Sequence, residues 1–270
     1  MYNRTDVIYL YDGSFEGLLC CVFEAYDKKE NPADILSTNA AQSLFQETKW
    51  IETDSQKAQR VNSGICKNIS LEAQELVRLG FLTCTPHKEM LILGFLRLGF
   101  VHKSKVLNMI TDETVFSLQK AVRHLLKESH LFKGFVRFSV HGKALVAVIE
   151  PKNFVLPLLS EHFCNRYPNE AFMIFDKTNS VALVYRPKEA VLIPMQELVL
   201  PDIDEKEAEY RRLWKQFYDT IAIESRYNPR CRMTLMPKRY WKNMLEVQDE
   251  LKGEKRLKQN LLLQLEQSKQ

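Results

Sequence analysis

The sequence lacks the short patterns by which metal centres and nucleotide-binding loops are usually recognised. Its six cysteines are scattered and form no C-x-x-C pair, and no two histidines occur at H-E-x-x-H spacing. There is also no G-x-G-x-x-G loop and no G-x-S-x-G turn. Zinc and iron–sulfur sites need clustered thiolates or imidazoles, and nucleotide loops need closely spaced glycines. We therefore expect neither a metal site nor a bound cofactor.

Long apolar runs and a large excess of one charge are absent as well. The longest apolar run, Met90–Phe100, contains Arg97 and is much shorter than the ~20 residues that cross a bilayer, so no membrane span is predicted. The net charge is only +4, so nucleic-acid binding must be argued from local clusters of basic residues. With no signal peptide, the scattered cysteines indicate reduced thiols and a cytoplasmic protein.

The chain changes its periodicity along its length, and this predicts an α+β fold. Residues 7–26 predict a strand, a turn at Asp12-Gly13 and a helix. Helical spacing of apolar residues then continues over about 54–130. From 131 to about 200 the period becomes that of short strands separated by turn residues. We expect the helical portion to lie beside a sheet.

The sheet-rich part predicts a ββαβββ unit. A turn at 141–143 joins two strands into a hairpin, a short helix occupies 153–167, and three short strands follow. The short connections favour a mainly antiparallel sheet. The N-terminal strand is a candidate to join that sheet.

We expect one α+β domain over 1–246 and a tail over 247–270. The domain ends in C-terminal helices over 204–246. The tail is charged and carries a leucine stripe, which is typical either of a surface helix or of a helix that docks on a partner. An amphipathic helix is predicted over 204–226. Its apolar positions, which we expect to face the core, are Tyr210, Leu213, Phe217 and Ile221.

A basic and aromatic stretch, the segment Arg226–Trp241, is the first candidate for a nucleic-acid interface. No acidic residue occurs between Glu224 and Glu246. Arginine offers a planar charged fork that suits phosphate, and aromatic faces can stack on exposed bases. Pro229 and Pro237 interrupt the segment, so it is not one long solvated helix. The candidate contacts are Arg226, Arg230, Arg232, Lys238 and Arg239 for phosphate, and Tyr240 or Trp241 for a base.

Further basic residues occur in the sheet-rich part. Residues 133–138 are predicted as a strand with Lys133 and Arg137 on one face. His162 and Arg166 are four residues apart and share one face of the predicted helix. We expect Lys133, Arg137 and Arg166 to be secondary nucleic-acid contacts, although a solvent-exposed basic face explains them as well. His162 is either a general base or a packing residue.

Asp12 lies where the first strand meets the first helix. Backbone N–H groups and the helix dipole favour anions at such a position, and a turn residue is an equally good explanation. Asp12 and His162 are therefore the candidate catalytic residues, should this chain carry out chemistry. Asp176 also follows a predicted strand, and we expect it to act in a turn.

Four motifs together resemble one bacterial family. They are YDGSFEGLL at Tyr11–Leu19, KGFVRF at Lys133–Phe138, VLPLLSEHFCNRY at Val155–Tyr167 and RMTLMPKRYW at Arg232–Trp241. The family is described as DNA metabolism or DNA repair proteins of unknown mechanism, and the resemblance covers about Val7–Glu246. It implies a genetic partnership with a radical-SAM protein. Related proteins carry a fused uracil-DNA-glycosylase-like domain. The resemblance implies no catalytic residues.

We therefore expect an accessory protein of DNA metabolism or repair that binds nucleic acid and works with a separate radical-SAM or glycosylase-type enzyme. The chain lacks the clustered cysteines that a radical-SAM enzyme needs for its own cluster. Two alternatives stay open. One is a nucleic-acid-processing enzyme, of hydrolase or base-release type, that uses Asp12 and His162. The other is a protein-interaction scaffold without DNA contact, whose arginines pair with internal carboxylates.

Overall fold

The chain divides into two compact units, Met1–Lys127 and Glu128–Gln270. The single domain that the sequence predicts over 1–246 extends over both. In the part of the chain that the structure describes, no helix is both long enough and apolar enough to cross a membrane. The structure is a computed structural model, and it describes residues 3–4, 7–38, 47–200, 204–248 and 250.

The first unit begins with short parallel strands. They are β1 (Asn3–Arg4), β2 (Ile8–Tyr11), β3 (Glu30–Asn31), β4 (Asp34–Ser37) and β5 (Thr48–Trp50). β2 lies between β4 and β5 in one sheet, and β1 pairs with β3 in another. Helix α1 (Phe15–Asp27) connects β2 to the strands that follow, as a parallel pairing requires. For this reason the N-terminal strand does not join the antiparallel sheet, and that expectation is wrong.

Helices form the rest of the first unit, as predicted. They are α2 (Ser55–Asn68), α3 (Leu71–Phe81), α4 (Lys88–His102) and the start of α5 (Glu113–Phe135). Asp54 and Ser70 cap α2 and α3, because their side-chain oxygens accept hydrogen bonds from backbone N–H groups of the first turns. α4 contains the apolar run Met90–Phe100 and is a buried helix, with Ile92, Leu93 and Phe95 inside the core. α5 continues past Lys127 into the second unit.

The second unit contains the predicted ββαβββ arrangement. Its elements are β6 (Ser139–His141), β7 (Ala144–Ile149), α6 (Leu156–Arg166), β8 (Ala171–Asp176), β9 (Val181–Arg186) and β10 (Glu189–Pro194). They form one sheet in the order β10-β9-β8-β7-β6. All neighbours are antiparallel except β7 and β8, which are parallel because α6 connects them. The mainly antiparallel sheet of the predicted α+β fold is confirmed.

The predicted strand over residues 133–138 is absent, because α5 extends through Phe135. The backbone N–H of Val136 still donates to the carbonyl of Phe132, which closes the last turn. Phe132 and Phe135 both contact the ring of Tyr240, with centroids 5.0 and 5.2 Å apart. This tertiary contact stabilises the helix end despite Gly134. Lys133 and Arg137 therefore do not share a strand face, and that prediction is wrong.

The C-terminal part of the second unit contains two helices, α7 (Glu205–Ile221) and α8 (Pro229–Leu235), and two 3-10 turns, Glu224–Arg226 and Lys238–Asn243. The prediction that the apolar stripe of α7 faces the core is wrong. Glu207 and Arg211 attach the helix to β6, by accepting from Val140 N and donating to Ser139 Oγ, and the stripe points to solvent. Its exposed fractions are 66% for Tyr210, 47% for Leu213, 53% for Phe217 and 56% for Ile221. Of the predicted tail, residues 249 and 251–270 lie outside the described residues.

Candidate nucleic-acid interface

An open cavity of about 490 Å³ in the second unit is lined by arginine and aromatic side chains. α6, α7 and the connection after α5 contribute most of its wall. Apolar rings beside guanidinium groups form the kind of surface on which single-stranded nucleic acid is bound. The arginines are Arg137, Arg166 and Arg211, and the aromatic residues are Phe138, Tyr167, Tyr210 and Trp214.

Two of the cavity arginines are held by carboxylates. Arg137 Nη2 donates to Glu246 Oε1 at 2.6 Å, and its guanidinium carbon lies 5.9 Å from the centre of the Trp214 ring. Arg211 Nε donates to Glu207 Oε1 at 2.8 Å. Burial acts to raise the pKa of Glu246, but hydrogen bonds, above all from Arg137, outweigh burial and leave this pKa below its usual value. Arg137 therefore links the connection after α5 to the C-terminal part of the unit, and Arg211, which also donates to Ser139 Oγ, attaches α7 to β6.

Arg166 differs from these two arginines. It ends α6, its side chain is exposed, and no described carboxylate forms an ion pair with it. Its guanidinium carbon lies 5.8 Å from the centre of the Tyr167 ring. A guanidinium that is exposed and lies beside an aromatic face can still donate hydrogen bonds to a phosphate.

His162 lies one helical turn before Arg166 in α6 and is half-buried. Its ring meets the ring of Phe163 edge-on at 4.9 Å. Burial, followed by the positive charges of Lys133 and Arg166, lowers the pKa of His162 below its usual value. The neutral form of the imidazole is therefore favoured, first by burial and then by the two nearby cations.

The segment Arg226–Trp241 is largely tied to carboxylates of its own unit. Arg239 Nη2 lies 2.8 Å from Glu128 Oε1, and Arg232 Nη1 donates to Glu250 Oε1 at 3.0 Å. Lys242, just beyond the segment, pairs with Glu150 at 2.5 Å. These pairs are what the scaffold alternative requires.

The aromatic residues of the segment are inside the unit. Tyr240 is 5% exposed and Trp241 is 1% exposed, and the indole N–H of Trp241 donates to the carbonyl of Met236 at 2.9 Å. Neither ring face is open to a base in this arrangement. Lys238 lies over the Trp241 ring at 5.6 Å. The exposed residues of the segment include Arg226, Arg230 and Tyr227.

Glu128 organises the buried side of the segment and was not predicted as a site residue. Its carboxylate, 3% exposed, accepts from Lys152 N at 3.0 Å, Asn153 N at 2.8 Å and Asn153 Nδ2 at 2.6 Å. Together with Arg239, these donors connect α5, the loop after β7 and the C-terminal segment. In the sequence, Glu128 is one of many glutamates in helices, so no local pattern distinguishes it.

Asp176 has the turn role that was predicted. Its carboxylate is buried and accepts from the backbone N–H groups of Thr178 and Asn179, both at 3.0 Å. Burial raises the pKa of Asp176 above its usual value, against the effect of these hydrogen bonds.

Asp12 belongs to the first unit and follows β2. Its Oδ1 accepts from Ser14 N at 2.9 Å and Ser14 Oγ at 2.7 Å, and its Oδ2 accepts from Thr53 Oγ1 at 2.9 Å. Burial acts to raise the pKa of Asp12, but these hydrogen bonds lower it below its usual value. A Cβ on Gly17 would approach Asp12 Oδ1 to 2.3 Å, so the glycine leaves room for the carboxylate. The arrangement is that of a turn that joins β2 to α1.

The cavity brings together two predicted residues, Arg137 and Arg166, with four residues of α7 that were not predicted as site residues. They are Glu207, Tyr210, Arg211 and Trp214. Aromatic and arginine residues at helical spacing are the signal for the last three in the sequence, but the same periodicity also predicts a core-facing stripe. Among the described residues, no group of three or more His, Cys, Asp and Glu side chains could hold a metal ion.

Comparison with known protein families finds a family model that covers this cavity. A domain of unknown function, DUF4130, matches residues 86–246, which is more than half of the chain. The chain belongs to the DUF4130 family. The match includes the whole cavity lining and the segment Arg226–Trp241, whereas Asp12 precedes it. The family resemblance seen in the motifs is thereby confirmed as membership of an uncharacterised family. No curated protein and no solved structure matches the sequence.

Proposed function

We propose that this DUF4130 protein binds nucleic acid, DNA in the first place, and is an accessory to a separate enzyme of radical-SAM or glycosylase type. The observation that carries the proposal is the cavity, whose lining contains three arginines and four aromatic rings. Phosphate contacts from arginine supply affinity that is independent of sequence, and ring faces supply stacking for any base. The partner enzyme and the role in DNA metabolism or repair come from the family resemblance.

The exposed cations of the second unit extend the proposed interface beyond the cavity. Arg226 and Arg230 are exposed, and the described residues provide no ion pair for either. Tyr227 lies between them in sequence and is 68% exposed. In this proposal Tyr227 replaces the buried Tyr240 and Trp241 as the ring available for stacking, while Arg232 and Arg239 hold the segment in place.

Salt-dependent DNA binding tests the proposal. Labelled single- and double-stranded DNA would be titrated with the protein, with fluorescence anisotropy as the readout, over a series of salt concentrations. We expect the logarithm of the affinity to fall linearly with the logarithm of the salt concentration, and each of Arg226→Gln and Arg230→Gln to reduce the slope by about one unit. Binding that is absent, or insensitive to salt, would refute the proposal.

Arg186→Gln is the matched control for these variants. Arg186 is an exposed arginine of the same unit, at the end of β9, and it is not part of the cavity lining. We expect it to leave the salt slope unchanged. An equal loss from Arg186→Gln would show that general positive charge, and not this surface, holds the DNA.

A protein-interaction scaffold is the second candidate, and the exposed stripe of α7 favours it. Leu213, Phe217 and Ile221 are all about half exposed on one side of this helix. Exposed apolar patches of this kind are typical of interaction surfaces. If Phe217→Ser abolishes binding of the partner enzyme in a pull-down while DNA is not bound at all, the scaffold is the better description.

A further inference from the structure

We propose that the cavity receives one unpaired nucleotide of a nucleic-acid strand, with the base against Tyr210 and Trp214 and the phosphate beside Arg166. The inference rests on the proposed function, because it assumes that the protein binds nucleic acid. The inference goes further by naming which part of the nucleic acid is recognised. Neither the family nor the basic character of the surface specifies that part.

The size of the cavity suits a single nucleotide. Its volume of about 490 Å³ lies within the ~300–1,000 Å³ range that is usual for small-ligand pockets. A base inside a duplex is stacked on both faces and presents only its edges in the grooves. A concave site can therefore enclose a base only when that base has left the stack, as in a bulge, a loop or a single strand.

Two rings on α7 supply the stacking surface. Tyr210 and Trp214 are four residues apart, so they lie on the same side of the helix, separated by about 6 Å along its axis. Tyr210 is 66% exposed and Trp214 is 41% exposed. The Trp214 ring also meets Arg137 and Phe217, so Tyr210 offers the more open ring.

The acidic residue in the lining favours a base over a simple anion. Glu207 is buried and lines the cavity, where its two oxygens accept from Arg211 Nε and Val140 N. Each carboxylate oxygen keeps a further lone pair for a donor. A carboxylate repels a free phosphate but accepts from the amino group of a base, as carboxylates do from cytosine N4. We therefore expect adenine or cytosine to be preferred to thymine, which has no exocyclic amino group.

Arg166 supplies the charge for the phosphate of the same nucleotide. Arg137 and Arg211 already form ion pairs with Glu246 and Glu207, whereas no described carboxylate pairs with Arg166. In the lining, Glu207 can therefore accept a hydrogen bond from the base, and Arg166 can donate to the phosphate.

The test compares duplexes that differ in one nucleotide. A labelled duplex with a single bulged adenine is compared with the fully paired duplex, and with the same bulge made abasic. We expect the bulged adenine to bind about tenfold more tightly than either, which is the size of one base–aromatic stacking interaction. A bulged thymine should bind more weakly than a bulged adenine.

Tyr210→Ala should remove most of the preference for the bulged adenine. Ile221→Ala is the matched control, because Ile221 is an exposed apolar residue on the same helix that does not line the cavity. It should keep the preference. Arg166→Gln should weaken binding of the bulged duplex and reduce its salt slope by about one unit.

The outcomes separate this inference from the proposed function. If bulged, abasic and paired duplexes bind equally and with the same salt dependence, the nucleotide site is refuted while nucleic-acid binding stands. If no duplex or single strand binds, both are refuted. If AMP alone binds in a Tyr210-dependent way while the three duplexes bind equally, the cavity serves a free nucleotide and the strand-bound proposal is overturned.

Discussion

Replacing Glu128 by glutamine tests whether this buried carboxylate holds the second unit together. Its Oε1 faces Lys152 N and Arg239, and its Oε2 faces both nitrogens of Asn153. A glutamine has one acceptor oxygen and one N–H₂ group, so whichever way it turns, at least one buried donor faces another donor. The substitution changes the shape of the side chain very little, which makes the lost hydrogen bonds the main effect.

The expected cost follows from these contacts. A buried donor without a partner costs about 1–3 kcal/mol. Loss of the ion pair with Arg239 adds about 1 kcal/mol or less, because Arg239 is partly exposed. We therefore expect Glu128→Gln to lower the free energy of unfolding of the second unit by about 1–4 kcal/mol. With a urea dependence of about 2 kcal/mol per molar, the unfolding midpoint should fall by about 0.5–2 M.

Urea unfolding monitored by tryptophan fluorescence is the assay. Trp214 and Trp241 belong to the second unit, and Trp241 is buried, so its emission reports the loss of this core. Glu161→Gln is the matched control, because Glu161 is an exposed glutamate on α6, and it should change the stability by less than about 0.5 kcal/mol. A Glu128→Gln protein as stable as this control would refute the reasoning.

Three further changes have defined expected results. Gly17→Ala should destabilise the first unit by about 1–3 kcal/mol in urea unfolding, because the new Cβ would lie 2.3 Å from Asp12 Oδ1. The lowered pKa of Glu246 stabilises the folded state above the unfolded value of about 4.3, and this contribution is lost as the pH falls through the folded pKa. Unfolding between about pH 5 and 3 should therefore depend less on pH in Glu246→Gln. Arg166→Gln should weaken salt-sensitive DNA binding at low salt more than at high salt.

Each of these changes has a contrasting control. Gly64→Ala adds a methyl group in α2 whose nearest neighbour is 3.9 Å away, so it should leave stability unchanged or raise it by about 0.5–1 kcal/mol. Glu161→Gln should keep the pH dependence of the parent protein, and Arg186→Gln should keep its DNA affinity. A Gly17→Ala protein as stable as Gly64→Ala would contradict the assigned close contact.

Local signals were sufficient to predict most of the secondary structure. Apolar residues at helical spacing correctly predicted the first helices, which Ser14, Asp54 and Ser70 cap in the structure. The strand–turn–helix at the start and the ββαβββ unit followed from turn residues and alternation. These features depend on neighbours within a few residues, which is why one sequence reveals them. The helix up to about residue 130 was predicted, but its extension through Phe135 was not, because that end depends on the distant ring of Tyr240.

The candidate site was predicted only in part. Arg137 and Arg166 were identified because arginine itself suggests phosphate binding, but their meeting with Tyr210 and Trp214 is a property of how α6 and α7 are placed. The amphipathic pattern of α7 specifies that one side is apolar. It does not specify whether that side meets a core or solvent, since both outcomes need the same spacing.

The sequence by itself determined that the segment Arg226–Trp241 is basic, aromatic and free of acidic residues. The tertiary structure decided what those residues do. It brings Glu128 to Arg239 and Glu250 to Arg232, and it buries Tyr240 and Trp241. The physical reason is that an arginine binds whichever anion reaches it. Which carboxylates come within hydrogen-bond distance depends on the path of the whole chain.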